Sequence, residues 1–154
     1  MDDFTIARVV HVVAMTMWIG GVGFVTTVVM PAIRRRHAPA ERLAAFHAFE
    51  GAFAGQARLW TLLAGASGLW MTWRADLWSR FIDPAFWWMD AMALLWLGFA
   101  VMLFVVEPLF LHRRMEDSAN PAADFLRAEA MHRLALGIAI ITVASAVAGS
   151  HGLI

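Results

Sequence analysis

Residues 86–111 read FWWMDAMALLWLGFAVMLFVVEPLFL, twenty-six residues in which Asp90 and Glu107 are the two charges. A helix rises ~1.5 Å per residue, so a run of this length crosses a ~30 Å hydrocarbon core unaided. A soluble helix of the same length would keep one polar face, and this run has none. Three further apolar runs flank it: from about Val9 to Ile33, from about Leu59 to Trp73 with a small-residue extension back towards Phe46, and from about Leu134 to Ile154. The second and fourth need polar N-terminal turns to complete a crossing. With 61% hydrophobic residues in 154, the chain reads as a single transmembrane domain, 1–154. The expected fold is all-α, an integral membrane antiparallel four-helix bundle with helices at about 5–33, 42–74, 85–112 and 123–153.

The first run follows Asp2 and Asp3 without a basic leader, so it reads as a permanent helix and not as a cleaved signal. Cysteine is absent, which removes disulfides, thiolate metal sites and iron–sulfur clusters. Formal net charge is zero and every base is arginine, so a nucleic-acid partner has no electrostatic footprint. Arg34, Arg35, Arg36, Arg42, Arg113, Arg114, Arg127 and Arg133 fall between the first and second runs or between the third and fourth. Arg8, Arg74 and Arg80 fall on the other side, diluted by Asp2, Asp3, Asp76 and Asp83. The positive-inside rule then places the eight in the cytoplasm and both termini outside it. Trp70, Trp73, Trp78, Trp87 and Trp88 gather around the outer connection as an interfacial belt. Ser118, Asn120 and Pro121 mark a turn before a helix starting near Ala122.

Polar groups at membrane depth are costly unless something uses them. His11 and His151 lie near the outer surface, with Asp90 at a similar level. His47, His112 and His132 lie at the cytoplasmic ends of the second, third and fourth helices, and His37 lies in a loop. Two imidazoles at one level on different helices are the minimal haem b constellation, and the sequence offers it on both faces. His11, Met15 and Trp18 form one helical stripe against which a planar ring could pack, followed by Gly20, Gly21 and Gly23; helix packing with His11 on a neighbouring carbonyl or on Asp90 explains the same stripe. Arg58 and Glu107 are expected to pair if they face each other, or Arg58 to hold a haem propionate or an anionic substrate. Pro108 frees a carbonyl and can open a cavity beside its helix. Glu129 with His132, and His47 with Glu50, have spacings that could hold iron or manganese, with ion pairing the simpler reading. The ten methionines lack a repeated stripe of the kind that would hold Cu(I).

The stretch HVVAMTMWIGG at 11–21, with Met30-Pro31 after it, resembles the first helix of two related groups of small membrane proteins, the copper resistance protein D family and the bacterial membrane protoporphyrinogen oxidases. FWWMDAMALLW at 86–96, the Val106-Glu107-Pro108 step and the AGSHG ending at 148–152 are most similar to uncharacterised bacterial members of that superfamily. The resemblance covers most of the chain and implies a multi-pass protein of the bacterial inner (cytoplasmic) membrane. In the oxidases the first-helix histidine is implicated in haem b binding, which maps onto His11. Their third-helix His-Ala-Lys step aligns with Asp90-Ala91-Met92, and this chain has no lysine, so haem binding is what the resemblance implies, without protoporphyrinogen oxidation.

The leading expectation is therefore a cytochrome b-like redox protein, an electron carrier or a haem-linked oxidoreductase. His11 and His151 are its outer cofactor candidates, His132 with His47 or His112 its inner ones, and Arg58 and Trp18 its supporting residues. A quinone or another redox partner would exchange electrons with it. The alternative is a copper- or zinc-handling membrane protein with His11, Asp90 and His151 as ligands. A third reading is a structural or assembly subunit that associates, as a homo-oligomer among other options, through its small-residue faces.

Overall fold

The computed structural model describes residues 2–111 and 118–153, and these are all-helical apart from short connections. Helix α1 runs over Asp3–Arg36, as an α-helix Asp3–Phe24, a π-helical step Val25–Val29 and a final α-helical stretch Met30–Arg36. The Asp2 carboxylate caps it by accepting from the Phe4 N–H at 3.2 Å. Three arginines occupy its last turn, where carbonyl dipoles favour cations. Helix α2 spans Arg42–Arg74. Two short 3-10 turns, Trp78–Ile82 and Pro84–Phe86, lead into α3, which is α-helical over Trp87–Val101 and π-helical over Met102–Leu111. Helix α4 spans Pro121–Ser150; the Asn120 side chain caps it by accepting from the Ala123 N–H, and Pro121 fills a first-turn position whose missing N–H costs nothing.

Both π segments sit at prolines. Pro31 follows the first by two residues and Pro108 lies inside the second. A proline ring clashes with the preceding turn of an α-helix, and a wider turn relieves the clash.

Helices α1, α3 with its lead-in turn, and α4 are long and apolar enough to cross a membrane. Leu94 on α3 and Leu134 and Ile141 on α4 are each about two-thirds exposed, at 68%, 65% and 67%, as lipid-facing side chains are. Helix α2 has the length, at 33 residues or ~50 Å, but not the apolar composition, so the expected fourth crossing differs in kind from the other three. Its stripe Ala54, Ala57, Thr61, Ala64 and Ser67 is small and buried, and it packs along α1 against Ala14, Trp18 and Val22. Small side chains let the two backbones approach closely, which is how helices associate where lipid removes the hydrophobic drive. Helix α4 packs against each of the other three.

Two aromatic–glycine contacts fix the remaining neighbours. The Trp96 indole occupies the space that a Cβ on Gly65 would take, and Trp88 does the same at Gly149. Asp3 and Arg74 join the starts and ends of α1 and α2 through two hydrogen bonds of 2.7 and 3.1 Å. This end holds both termini and is called here the terminal end. At the opposite, arginine end, a second apolar cluster of Val25, Met30, Ile33, Leu43, Phe46 and Phe125 closes the interior.

Candidate functional site

Between these clusters lies a cavity of about 360 Å³, a volume typical of small-molecule sites, with walls from all four helices. Its surface is mainly apolar. Phe46, Phe49 and Phe53 line it from one face of α2, at a spacing of three and then four residues, and Trp18 and Phe99 line it from α1 and α3. Phe49 and Phe53 are stacked 6.4 Å apart at 17°, while Trp18 meets Phe99 edge-on at 5.1 Å. Both π segments contribute wall, through Val25 and through Met102, Leu103 and Glu107. Polar groups are few: Glu50, Glu107, Asp124, Arg127 and His132.

His132 Nδ1 donates to the Ala128 carbonyl at 2.9 Å, since a carbonyl can only accept. The proton therefore sits on Nδ1, and Nε2 keeps its lone pair, the arrangement that orients a ligating imidazole. The Phe46 ring stands edge-on to it at 5.4 Å and 87°. The His47 ring centroid lies 6.5 Å from that of the same phenyl, and its Nδ1 lies 3.8 Å from the Glu50 carboxylate. His47 is not on the cavity wall, so the structure places His132 and His47 near one phenylalanine without opposing them across the cavity. His112, the other inner candidate, lies outside the described residues.

Arg58 and Glu107 meet, at 3.2 Å, and the local chain chemistry explains why. A π-helical turn pairs the N–H of one residue with the carbonyl five residues earlier. Proline has no N–H, so Pro108 leaves the Leu103 carbonyl without a helical partner. Arg58 Nε donates to that carbonyl at 3.1 Å while its terminal nitrogen donates to Glu107. One guanidinium thus satisfies both the orphaned carbonyl and a carboxylate that is 13% exposed. Two of its donors are thus engaged within the protein.

The terminal end is built differently. His11 Nδ1 lies 2.9 Å from the Ala64 carbonyl and 3.1 Å from the Ser67 hydroxyl, and the ring lies over Gly68, where a Cβ would meet it at 3.1 Å. Of the stripe His11, Met15 and Trp18, Trp18 is fully buried and Met15 packs against the same α1–α2 cluster, while Trp18 also borders the cavity. His151 closes the end of α4: its Nδ1 lies 2.8 Å from the Val147 carbonyl and the residue is exposed. Asp90 sits half-buried in the first turn of α3. Among the described residues no three histidine, aspartate or glutamate side chains are grouped to hold a metal ion, so His11, Asp90 and His151 are not gathered into one site.

Glu129 is 3% exposed and pairs with Arg133 at 2.6 Å and Arg34 at 3.7 Å. Glu129 of the E-x-x-H pair is thus held by two half-exposed arginines, of which Arg34 ties α4 to the end of α1. Of the cavity residues, the sequence points to Trp18, Arg58's partner Glu107, Glu50 and His132, but not to Phe46, Phe49, Phe53 or Phe99, although the spacing of Phe46, Phe49 and Phe53 carries the signal. Compared with known proteins, the chain matches no family model, no curated protein and no solved structure.

Proposed function

We propose that the chain is a multi-pass protein of the bacterial inner membrane, a four-helix antiparallel bundle with both termini outside the cytoplasm, that holds a flat, hydrophobic redox group in the cavity near its arginine end. Helix α2 makes the fourth crossing. It packs against the other three helices, and its charged residue at depth, Arg58, is neutralised by Glu107. Arg34, Arg35, Arg36, Arg42, Arg127 and Arg133 lie at one end, with Arg8 and Arg74 at the other, which supports a cytoplasmic position for the richer end.

Haem b is the redox group that the donor set favours. The observation that carries this reading is His132: an imidazole with Nδ1 tied to a carbonyl, on the wall of an aromatic cavity. Its Nε2 would be the axial ligand, Phe46 would hold the imidazole plane, and the apolar walls would exclude water. Haem bound there would supply one-electron exchange, which fits the resemblance of the first helix to haem-associated membrane proteins. Copper or zinc handling has less support, because its three proposed ligands are dispersed; an assembly role has no observation that favours it over ligand binding.

The test is an optical spectrum of the detergent-purified protein, before and after haem addition. A Soret band that disappears in His132→Ala and persists in His11→Ala is the expected result. A wild-type protein without a Soret band in either condition would remove the haem reading. Topology can be tested separately, since the chain has no cysteine. Single cysteines placed at Asp2 and Arg35 should differ in labelling by an impermeant maleimide in intact cells, with Asp2→Cys reacting first.

A further inference from the structure

The ion pairs of the cavity wall leave one carboxylate over. Glu107 is held by Arg58 at 3.2 Å, and Asp124 by Arg127 at 2.8 Å. Glu50 has no arginine: among the described residues its charged partner is His47, whose Nδ1 lies 3.8 Å away, beyond hydrogen-bond length. Glu50 lies ~12 Å along α2 from its Arg42 end, at a depth where a carboxylate is costly unless something uses it. Its side chain lines the cavity and is 23% exposed, so an occupant can reach it. The spacing along α2 gives it an aromatic setting. Phe46, Glu50, Phe53 and Ala57 recur at intervals of four, three and four residues, one face of a helix, and all four line the cavity. Phe49 stacks on Phe53 from the same helix. Ring faces carry the negative end of the aromatic quadrupole and attract cations, most strongly where water is excluded. Met131, also on the wall, is 58% exposed, so the cavity reaches the outer surface of α4 at membrane depth. An occupant can therefore enter from the bilayer.

We propose that the cavity takes a lipophilic organic cation, a flat aromatic ammonium, with its positive charge at Glu50 and its rings among Phe46, Phe49 and Phe53. The carboxylate supplies the counter-charge, the phenyl rings supply both apolar contact and cation–π attraction, and the lipid-side opening suits a ligand that dissolves in the bilayer. Arg127, the arginine on the wall, does not oppose this, because it is 72% exposed and paired with Asp124. The inference rests on the cavity being a ligand site, as argued above, but not on haem being its occupant. Cation and haem would compete for the same walls.

The test titrates detergent-purified wild type, Glu50→Gln and Phe49→Leu, without added haem, against empty micelles as the blank. The probes are ethidium, a flat aromatic cation whose fluorescence rises in apolar surroundings, and phenanthridine, the uncharged ring system on which it is built. Glutamine keeps the shape of glutamate and removes its charge. The expected result is ethidium affinity about tenfold weaker in Glu50→Gln, the size of one charge-assisted contact, and about threefold weaker in Phe49→Leu. Phenanthridine should bind wild type and Glu50→Gln alike. Equal ethidium affinity of wild type and Glu50→Gln overturns the proposal, and so does a wild type that does not bind ethidium. The Soret test stays separate: ethidium binding without a Soret band removes the haem reading alone, and a Soret band without ethidium binding removes this inference alone. If Glu50→Gln does not fold, wild type gives the answer through carbodiimide modification of carboxyl groups, read by mass spectrometry. Ethidium must then protect Glu50. A Glu50 that labels equally with and without ethidium, or that never labels because the cavity does not expose it, overturns the proposal.

Discussion

The two ends of the α1–α2 pair use opposite solutions to the same problem. Toward the terminal end, α1 and α2 meet through Ala14, Ala64, Ser67 and Gly68, close enough for the His11 ring to lie over a glycine and reach a backbone carbonyl of the other helix. Toward the arginine end they carry Val25, Phe46, Phe49 and Phe53, which line the cavity. Small residues at depth yield contact; large flat ones, with prolines that widen the helical turn, yield space. A histidine therefore means different things at the two ends. His11 reaches across to α2 through Nδ1, while His132 borders the cavity.

The largest effect expected from breaking this contrast is at the arginine end. Arg58→Met leaves Glu107 unpaired in the cavity wall and returns the Leu103 carbonyl to an unmet state, a loss of about 3 kcal/mol in unfolding from mixed micelles. Arg58→Met combined with Glu107→Gln should cost less than the sum of the two single changes, because the paired charge is removed with its partner. Additive losses would show that the pair is not coupled.

Glycines sharpen the comparison next. Gly65→Ala at the terminal end drives a methyl into the Trp96 indole and should destabilise by about 2 kcal/mol, whereas Gly55→Ala near the cavity meets nothing within 4 Å and should stabilise by up to about 1 kcal/mol through helix propensity. Opposite signs in one unfolding assay are the expected reading. Equal losses at both positions would place the close approach somewhere other than where α2 meets Trp96.

A smaller effect is expected at His11. Ser67→Ala removes one of two contacts to Nδ1 and leaves the Ala64 carbonyl, so a loss of about 1 kcal/mol or less follows, with the haem-titration midpoint unchanged. A shifted haem titration would move the cofactor to the terminal end. Smallest of all, Asp3→Asn removes an exposed ion pair with Arg74 and should leave the unfolding midpoint within its error.

Sequence patterning went a long way for the helices and less far for the site. The apolar runs, the turn at Asn120 and Pro121 and the capping aspartate are local features, written in residue type and spacing and therefore legible before any contact is known. The pairing of Arg58 with Glu107 was also legible, since two opposite charges in one leaflet have few other partners. His11, Trp18 and Asp90 were less so. Residues that share a depth need not share a direction, and a single helix stripe gives no information about which neighbour it faces. The stripe of Phe46, Phe49 and Phe53 was visible, yet its meaning depended on three other helices closing around it.

By itself, then, the sequence determined an all-helical chain with three helices suited to lipid and a fourth, α2, set apart by its small and polar residues, because length, apolarity and charge act within each segment. Tertiary structure alone decided that His11 meets Ala64 and Ser67, that Pro108 hands the Leu103 carbonyl to Arg58, and that a cavity opens between four helices beside His132. Those outcomes depend on the rotation and separation of helices about one another, which follow from side-chain volumes on both partners at once and cannot be read from either helix singly.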